Sequence, residues 1–313
     1  MKVISELKFA IEDASAKLKQ MLTKYHNPMI AYSGGSDSDI MLHFVNALNG
    51  YDLPVVFFDT GIEYQATLDH IQKQKHFIEV VKSVPVPITV KKYGQPFISK
   101  QISTWLKILQ TNNFDFHNDG FKSYDYLSKK YGLTGTLRFW CNENSNQFNI
   151  ARNKHLKEFI IENPPTFNIS PQCCDKSKKQ PGKMYAKEHN IDLMLLGVRR
   201  SEGGVRAYTL KTCVVNETKD THYAKYFPLF WWNNAVKSEY QKLYNIQYSD
   251  CYTVYKYTRT GCAGCPFGIQ NEKDVLTRLS QFEPKLYKAV CTIFRDSYEY
   301  TQMYNDFRNL TRQ

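Results

Sequence analysis

Ser33, Gly34, Gly35, Ser36, Asp37 and Ser38 lie between an apolar run, Met29–Tyr32, and a second run, Ile40–Val45, that has helical spacing. Paired glycines let successive backbone N–H groups converge, and a helix start beyond them adds partial positive charge, so the stretch suits a bound phosphate. The hydroxyls of Ser33 and Ser38 add donors, and Asp37 can orient the loop or approach a metal ion. No Gly-Lys-[Ser/Thr] follows and no G-x-G-x-x-G is present, which excludes a Walker loop and a dinucleotide fingerprint. A glycine turn with Ser and Asp as helix caps is the plainer alternative.

Two further constellations could carry chemistry. Cys173-Cys174 and Cys262-Ala263-Gly264-Cys265 supply four thiols, with 87 residues between the pairs. Four thiolates suit an iron–sulfur cluster or zinc, although adjacent cysteines fit a tetrahedral zinc site less well than two C-x-x-C pairs do. Buried thiols without a ligand are the remaining option. Arg199, Glu202 and Arg206 follow the apolar run Ile191–Gly197. Guanidinium groups grip phosphate or sulfate oxygens in bidentate fashion, and a glutamate beside them can orient an arginine or help hold Mg2+. A salt-bridged surface loop would look the same.

The elements that must position these residues read as alternating strands and helices. Met29–Tyr32, Leu53–Phe58, Pro85–Val90 and Ile191–Gly197 are the candidate strands. Helical spacing marks about Ser5–Tyr25, Ile98–Leu109, Ile150–Glu162 and Asn234–Tyr244, while Asn112–Asp119 reads as loop. The pattern predicts an α/β fold, a mostly parallel twisted sheet with helices on both faces. Ligands in such sheets bind beyond the carboxyl ends of the strands, which puts Asp59, Thr60 and Gly61 beside the phosphate loop and Arg199 at another strand end. Residues 1–25 are read as an N-terminal helix and 26–235 as the α/β domain, with an insertion at about 98–140. Residues 236–313 are read as a C-terminal region carrying the C-x-x-C pair.

The composition is that of an ordinary globular chain of 313 residues, 42% hydrophobic and 23% charged. No run approaches a membrane span and the first residues lack the pattern of a secretory signal, so the expected location is the cytoplasm. A formal net charge of +11 favours anionic partners: nucleotides, sulfate esters or nucleic acid. Eight cysteines without a secretory signal point to metal or redox use for some of them.

Ser33–Ser38 matches the S-G-G-x-D-[ST] pyrophosphate loop of the PP-loop ATP pyrophosphatase superfamily, and several segments narrow the likeness to its PAPS reductase relatives. Asp59–Tyr64 resembles their D-T-G-x-E-[FY] segment, Arg199, Glu202 and Arg206 their G-x-R-x-x-E-x-x-x-R loop, and Pro228–Trp232 with its following helix their P-[IL]-x-x-W region. Thr260–Gly268 is similar to the T-G-C-x-x-C-x-[FM]-G segment of PAPS-reductase-like proteins of bacteria and their phages. Cys173, Cys174, Cys262 and Cys265 match the C-C and C-x-x-C pattern that binds a [4Fe–4S] cluster in assimilatory adenylyl-sulfate reductases, with zinc the less favoured occupant.

The resemblance implies an adenine nucleotide ligand, and two departures imply that the nucleotide is ATP with Mg2+. Residues 301–313 contain no cysteine where those reductases carry E-C-G-x-H, and Ser33–Ser38 keeps the ATP form that reductases let degenerate. The expected function is ATP cleavage at the α–β bond, with Asp37, Arg199 and Arg206 as the catalytic set, adenylating an acceptor in sulfur transfer such as nucleic-acid thio-modification. One alternative is reduction of adenylyl sulfate or PAPS using Cys291 or Cys141 and an external thiol or electron-donor protein. The other is a nucleotide-dependent binding or sensor subunit.

Overall fold

A computed structural model describes residues 2–144, 149–203, 209–218, 220–270 and 274–310. The chain forms two compact units, Met1–Pro85 with Lys178–Ala263, and Val86–Ser177 with Gly264–Gln313.

The first unit contains a six-stranded sheet: β1 (Pro28–Tyr32), β2 (Val55–Asp59), β3 (Ile78–Lys82), β4 (Leu193–Leu196), β5 (Val214–Val215) and β6 (Ala224–Tyr226). Their order is β3-β2-β1-β4-β6-β5, parallel except for the β5–β6 pair. Alternate residues of β1, β2 and β4 enter opposite cores, because successive side chains of a strand point to opposite faces. Ile30, Tyr32, Val55, Phe57, Leu193 and Leu195 pack with Leu18, Phe44, Trp232 and Tyr240 on one face. Met29, Val56 and Met194 pack with Tyr185, Ala186 and Tyr223 on the other. Burial on both faces explains why these strands read as continuous apolar runs, and the mostly parallel α/β architecture is the expected one.

Helices Lys2–Lys24 and Asn234–Leu243 contribute to the first core through Leu7, Ala14, Leu18, Met21, Val236 and Tyr240. Helix Gln180–Glu188 contributes Tyr185 and Ala186 to the second.

Three expected elements are corrected. Pro85–Val90 is not a strand: Val86–Tyr93 is a helix that buries Val86, Thr89 and Val90 on one face, and proline is tolerated in a first helical turn, where Pro87 stands. The third strand is instead Ile78–Lys82, at the sheet edge and nowhere fully buried, so it lacks the apolar signature. The helix expected over Ile150–Glu162 is broken by His155 at φ 58° into a short 3-10 turn, Ile150–Arg152, and a helix, Leu156–Glu162. Within the loop expected at Asn112–Asp119, Asp115 caps a helical turn, Phe116–Asp119, by accepting from the Asn118 N–H at 2.9 Å.

The second unit has its own core of Phe97, Leu106, Trp140, Phe159, Ile169 and Tyr300, among others. Residues 98–140 are part of it.

Candidate functional site

The loop expected to hold phosphate begins directly after β1. Gly34 has φ +66°, and a methyl group there would stand 2.6 Å from Thr67 Cγ2, so both conformation and space require glycine. Gly35 occupies the cap position of helix Ser36–Leu42, which continues as a π-helical stretch, His43–Leu48. A glycine offers no side-chain acceptor to the first-turn amides. The open side of Gly35 is ringed by hydroxyls: its missing methyl would meet Tyr252 Oη at 3.2 Å, and Ser33 Oγ and Thr260 Oγ1 at 3.3 Å. Tyr252 Oη accepts from the Ser36 N–H at 3.2 Å and lies 2.8 Å from Thr260 Oγ1. Burial pushes the Tyr252 phenol pKa up, so this residue stays a neutral hydroxyl beside the loop.

Two cations meet on one oxygen of Asp37. Arg199 Nε donates to Asp37 Oδ1 at 2.7 Å, and Lys237 Nζ lies 2.8 Å from the same atom while donating to Ser36 Oγ at 2.7 Å. Arg199 is 4% exposed, and its Nη1 also reaches Ser201 Oγ at 2.7 Å, Asn234 Oδ1 at 3.0 Å and the Trp232 carbonyl at 3.3 Å. Glu202 fixes the arginine's backbone, accepting from the Arg199 N–H at 3.0 Å on Oε1 and from Arg259 at 3.2 Å on Oε2. Arg206 lies outside the described residues.

Beneath the loop, Asp39 is 4% exposed and uses Oδ1 to accept from the Tyr32 hydroxyl and to pair with His70 Nε2 at 2.9 Å. Burial, reinforced by the neighbouring Asp39 charge, pushes the Tyr32 phenol pKa far upward. Asp39 also lines a cavity of about 610 Å3 with His43, His76 and Tyr248.

β2 pairs with β1 in register Tyr32 to Phe57, so Asp59, Thr60 and Gly61 leave the sheet at the strand end adjoining the loop. Asp59 Oδ1 accepts from the Gly61 N–H at 2.8 Å and Oδ2 pairs with Lys82. Thr60 Oγ1 donates to Glu63 Oε1 at 2.6 Å and lies 3.6 Å from Cys262 Sγ.

Mg2+ and a [4Fe–4S] cluster are the two further groups expected at this site. Asp37 and Glu202, the carboxylates expected near Mg2+, each stand beside a cation, Asp37 through Oδ1 beside Arg199 and Lys237 and Glu202 through Oε2 beside Arg259. Cys262 belongs to the first unit, whereas Cys173, Cys174 and Cys265 belong to the second. Among the described residues, no group of three or more Cys, His, Asp or Glu side chains is arranged to hold a metal ion.

With this geometry in view, comparison with known proteins decides the family. The model of the phosphoadenosine phosphosulfate reductase domain matches residues 27–116 and 117–267. The chain belongs to that family. PAPS reductase domain proteins are nucleotide-utilising, and the loop, the β2 end and Arg199 all fall inside the matched region. An uncharacterized protein of Methanocaldococcus jannaschii is 25% identical over 92% of this chain and 45% of its own length. The chain therefore spans about half the length of that relative, and 50% of a second from the same organism. Sulfate adenylyltransferase subunit 2 of Mycolicibacterium gilvum is 24% identical over 63% of this chain and 71% of its own. Among solved structures, the PAPS reductase of Candida auris in a phosphate complex aligns with a TM-score of 0.43 at 15% identity, covering 80% of this chain and 87% of that one.

Sequence reading alone did not single out Lys237, Tyr252, Asp39 or His70. Lys237 and Tyr252 reach the loop from about 200 residues away, a proximity no local pattern carries. Asp39 did leave a trace: it is a charged residue at the head of the apolar run Ile40–Val45, where a carboxylate in a buried turn needs partners.

Proposed function

We propose that this PAPS reductase domain binds ATP at Ser33–Ser38 and breaks its α–β bond, transferring the adenylyl group to an acceptor within a sulfur-transfer reaction. The observation that carries this reading is the loop itself: a left-handed Gly34, a helix whose cap residue Gly35 brings no side-chain acceptor, and two cations beyond them on Asp37. An acceptor oxygen attacks the α-phosphorus, the bond from that phosphorus to the bridging oxygen breaks, and pyrophosphate leaves with the electron pair. The acceptor's proton passes to water. Backbone N–H groups and the Ser33 and Ser38 hydroxyls stabilise the departing charge, while Arg199 holds Asp37 and so fixes the loop's shape. Arg206 is proposed as a further cation for the transferring group. The likeness to a protein named sulfate adenylyltransferase supports adenylyl transfer, and the +11 net charge supports nucleic acid as the acceptor class.

Mg2+ would neutralise pyrophosphate charge when bound with the nucleotide. A [4Fe–4S] cluster enters this proposal through the spacing of Cys173, Cys174, Cys262 and Cys265 alone, and no step above depends on it. Protein purified without oxygen, assayed for pyrophosphate release from ATP with RNA, DNA and sulfate as acceptors, tests the reading. Release with at least one acceptor, abolished in Asp37→Ala, supports it. Sulfite formation from adenylyl sulfate or PAPS in the presence of thioredoxin or glutathione, with no pyrophosphate from ATP, supports the reductase reading that the family name favours.

A further inference from the structure

Lys237 reaches the phosphate loop from a helix start. It stands in the first turn of helix Asn234–Leu243, the positive end of that helix, where a cation is disfavoured. Its ammonium shares a single carboxylate oxygen, Asp37 Oδ1, with the buried Arg199, so two positive charges face one negative charge. Such a surplus suits an anionic ligand.

The two cations differ in their freedom to meet one. Arg199 is buried, and its Nε and Nη1 together meet four acceptors, so swinging it onto a ligand would break a network that also ties down Ser201, Asn234 and the Trp232 carbonyl. Lys237 has an 18% exposed side chain on a flexible four-carbon stem, and two of its three ammonium protons are directed at Ser36 Oγ and Asp37. Both contacts are on the phosphate loop itself, and the Tyr248 ring lies 5.8 Å from the ammonium.

We propose that Lys237 is a phosphate-contacting residue: its ammonium rests on Ser36 and Asp37 until a nucleotide is bound, then shifts to the β- and γ-phosphates that leave as pyrophosphate, while Arg199 stays behind as the strut on Asp37. This rests on the reading that the loop takes the phosphates of ATP.

Calorimetric titration of the full chain with inorganic pyrophosphate and with ATP tests it, comparing wild type, Lys237→Gln, Lys237→Arg and, as a control on the same helix, Lys242→Gln. Loss of one charge-assisted contact weakens pyrophosphate and ATP binding by about 10- to 100-fold in Lys237→Gln. Lys237→Arg keeps the charge and recovers part of that loss, and Lys242→Gln binds as wild type does. The melting temperature of Lys237→Gln stays within a degree or two of wild type, because the lysine opposes the helix dipole. Equal binding by wild type and Lys237→Gln overturns the proposal, as does a loss of affinity matched by a large fall in melting temperature, which makes the lysine a structural clamp. Failure of wild type itself to bind either probe overturns the nucleotide reading instead.

Discussion

Gly197 and Asp37 touch backbone to backbone: a methyl group at Gly197 would lie 2.9 Å from both the carbonyl carbon and the carbonyl oxygen of Asp37. The residue that follows β4 thus forms a wall of the phosphate loop that follows β1. Gly197→Ala would push main chain against main chain, which cannot rotate aside as a side chain can. Overpacking of this kind costs about 1–3 kcal/mol. We expect a lower denaturant midpoint and weaker ATP binding, read by urea unfolding and calorimetry. An alanine variant with wild-type midpoint and affinity would show that the loop tolerates displacement.

Asp39 is the buried anchor beneath the same loop, joining Tyr32 to His70. Asp39→Asn loses the charge that both partners face, and a broken hydrogen bond to a buried charged group costs about 1–3 kcal/mol. Tyr32→Phe should cost less alone. Because the two residues share one bond, the double variant is expected to fall short of additivity in a double-mutant cycle of unfolding free energies. Strict additivity would separate them.

Tyr252 accepts the Ser36 N–H and adjoins Thr260, so Tyr252→Phe removes one support of the loop's first turn without changing its charge. A neutral hydrogen bond contributes about 0.5–1.5 kcal/mol, so we expect ATP affinity to fall by roughly 2- to 12-fold in calorimetry. Unchanged affinity would assign Tyr252 to packing alone.

His43, in the π-helical stretch behind the loop, has its pKa lowered from the usual imidazole value by burial and then by the neighbouring His76 charge. The unfolded chain therefore takes up a proton near pH 6.5 that the folded chain resists, and stability falls as pH drops from 7 toward 5. Thermal melts across that window should show a shallower decline for His43→Gln than for wild type. Parallel curves would show that His43 does not contribute.

The strands that shape the site were legible because they are buried on both faces: β1, β2 and β4 stand close to their apolar runs. β3 was not, since an edge strand reading Ile-Glu-Val-Val-Lys is half wet and looks like loop, while Val86–Val90 offers an apolar run that a helix buries instead. The glycine loop and Arg199 were visible as local motifs. Their coupling was not: that one carboxylate, Asp37, meets both Arg199 and Lys237 depends on chain segments about 160 and 200 residues downstream. The four cysteines were visible by their spacing, with Cys262 in one unit and Cys173, Cys174 and Cys265 in the other.

The central claim, that ATP is cut between its α- and β-phosphates at Ser33–Ser38, is tested most directly by following [α-32P]ATP with the full chain, Mg2+ and a panel of nucleic-acid and small acceptors. The account predicts label in AMP or an adenylated acceptor, an equal amount of unlabelled pyrophosphate, and no labelled ADP. Labelled ADP with release of phosphate, or intact ATP with every acceptor, would contradict it.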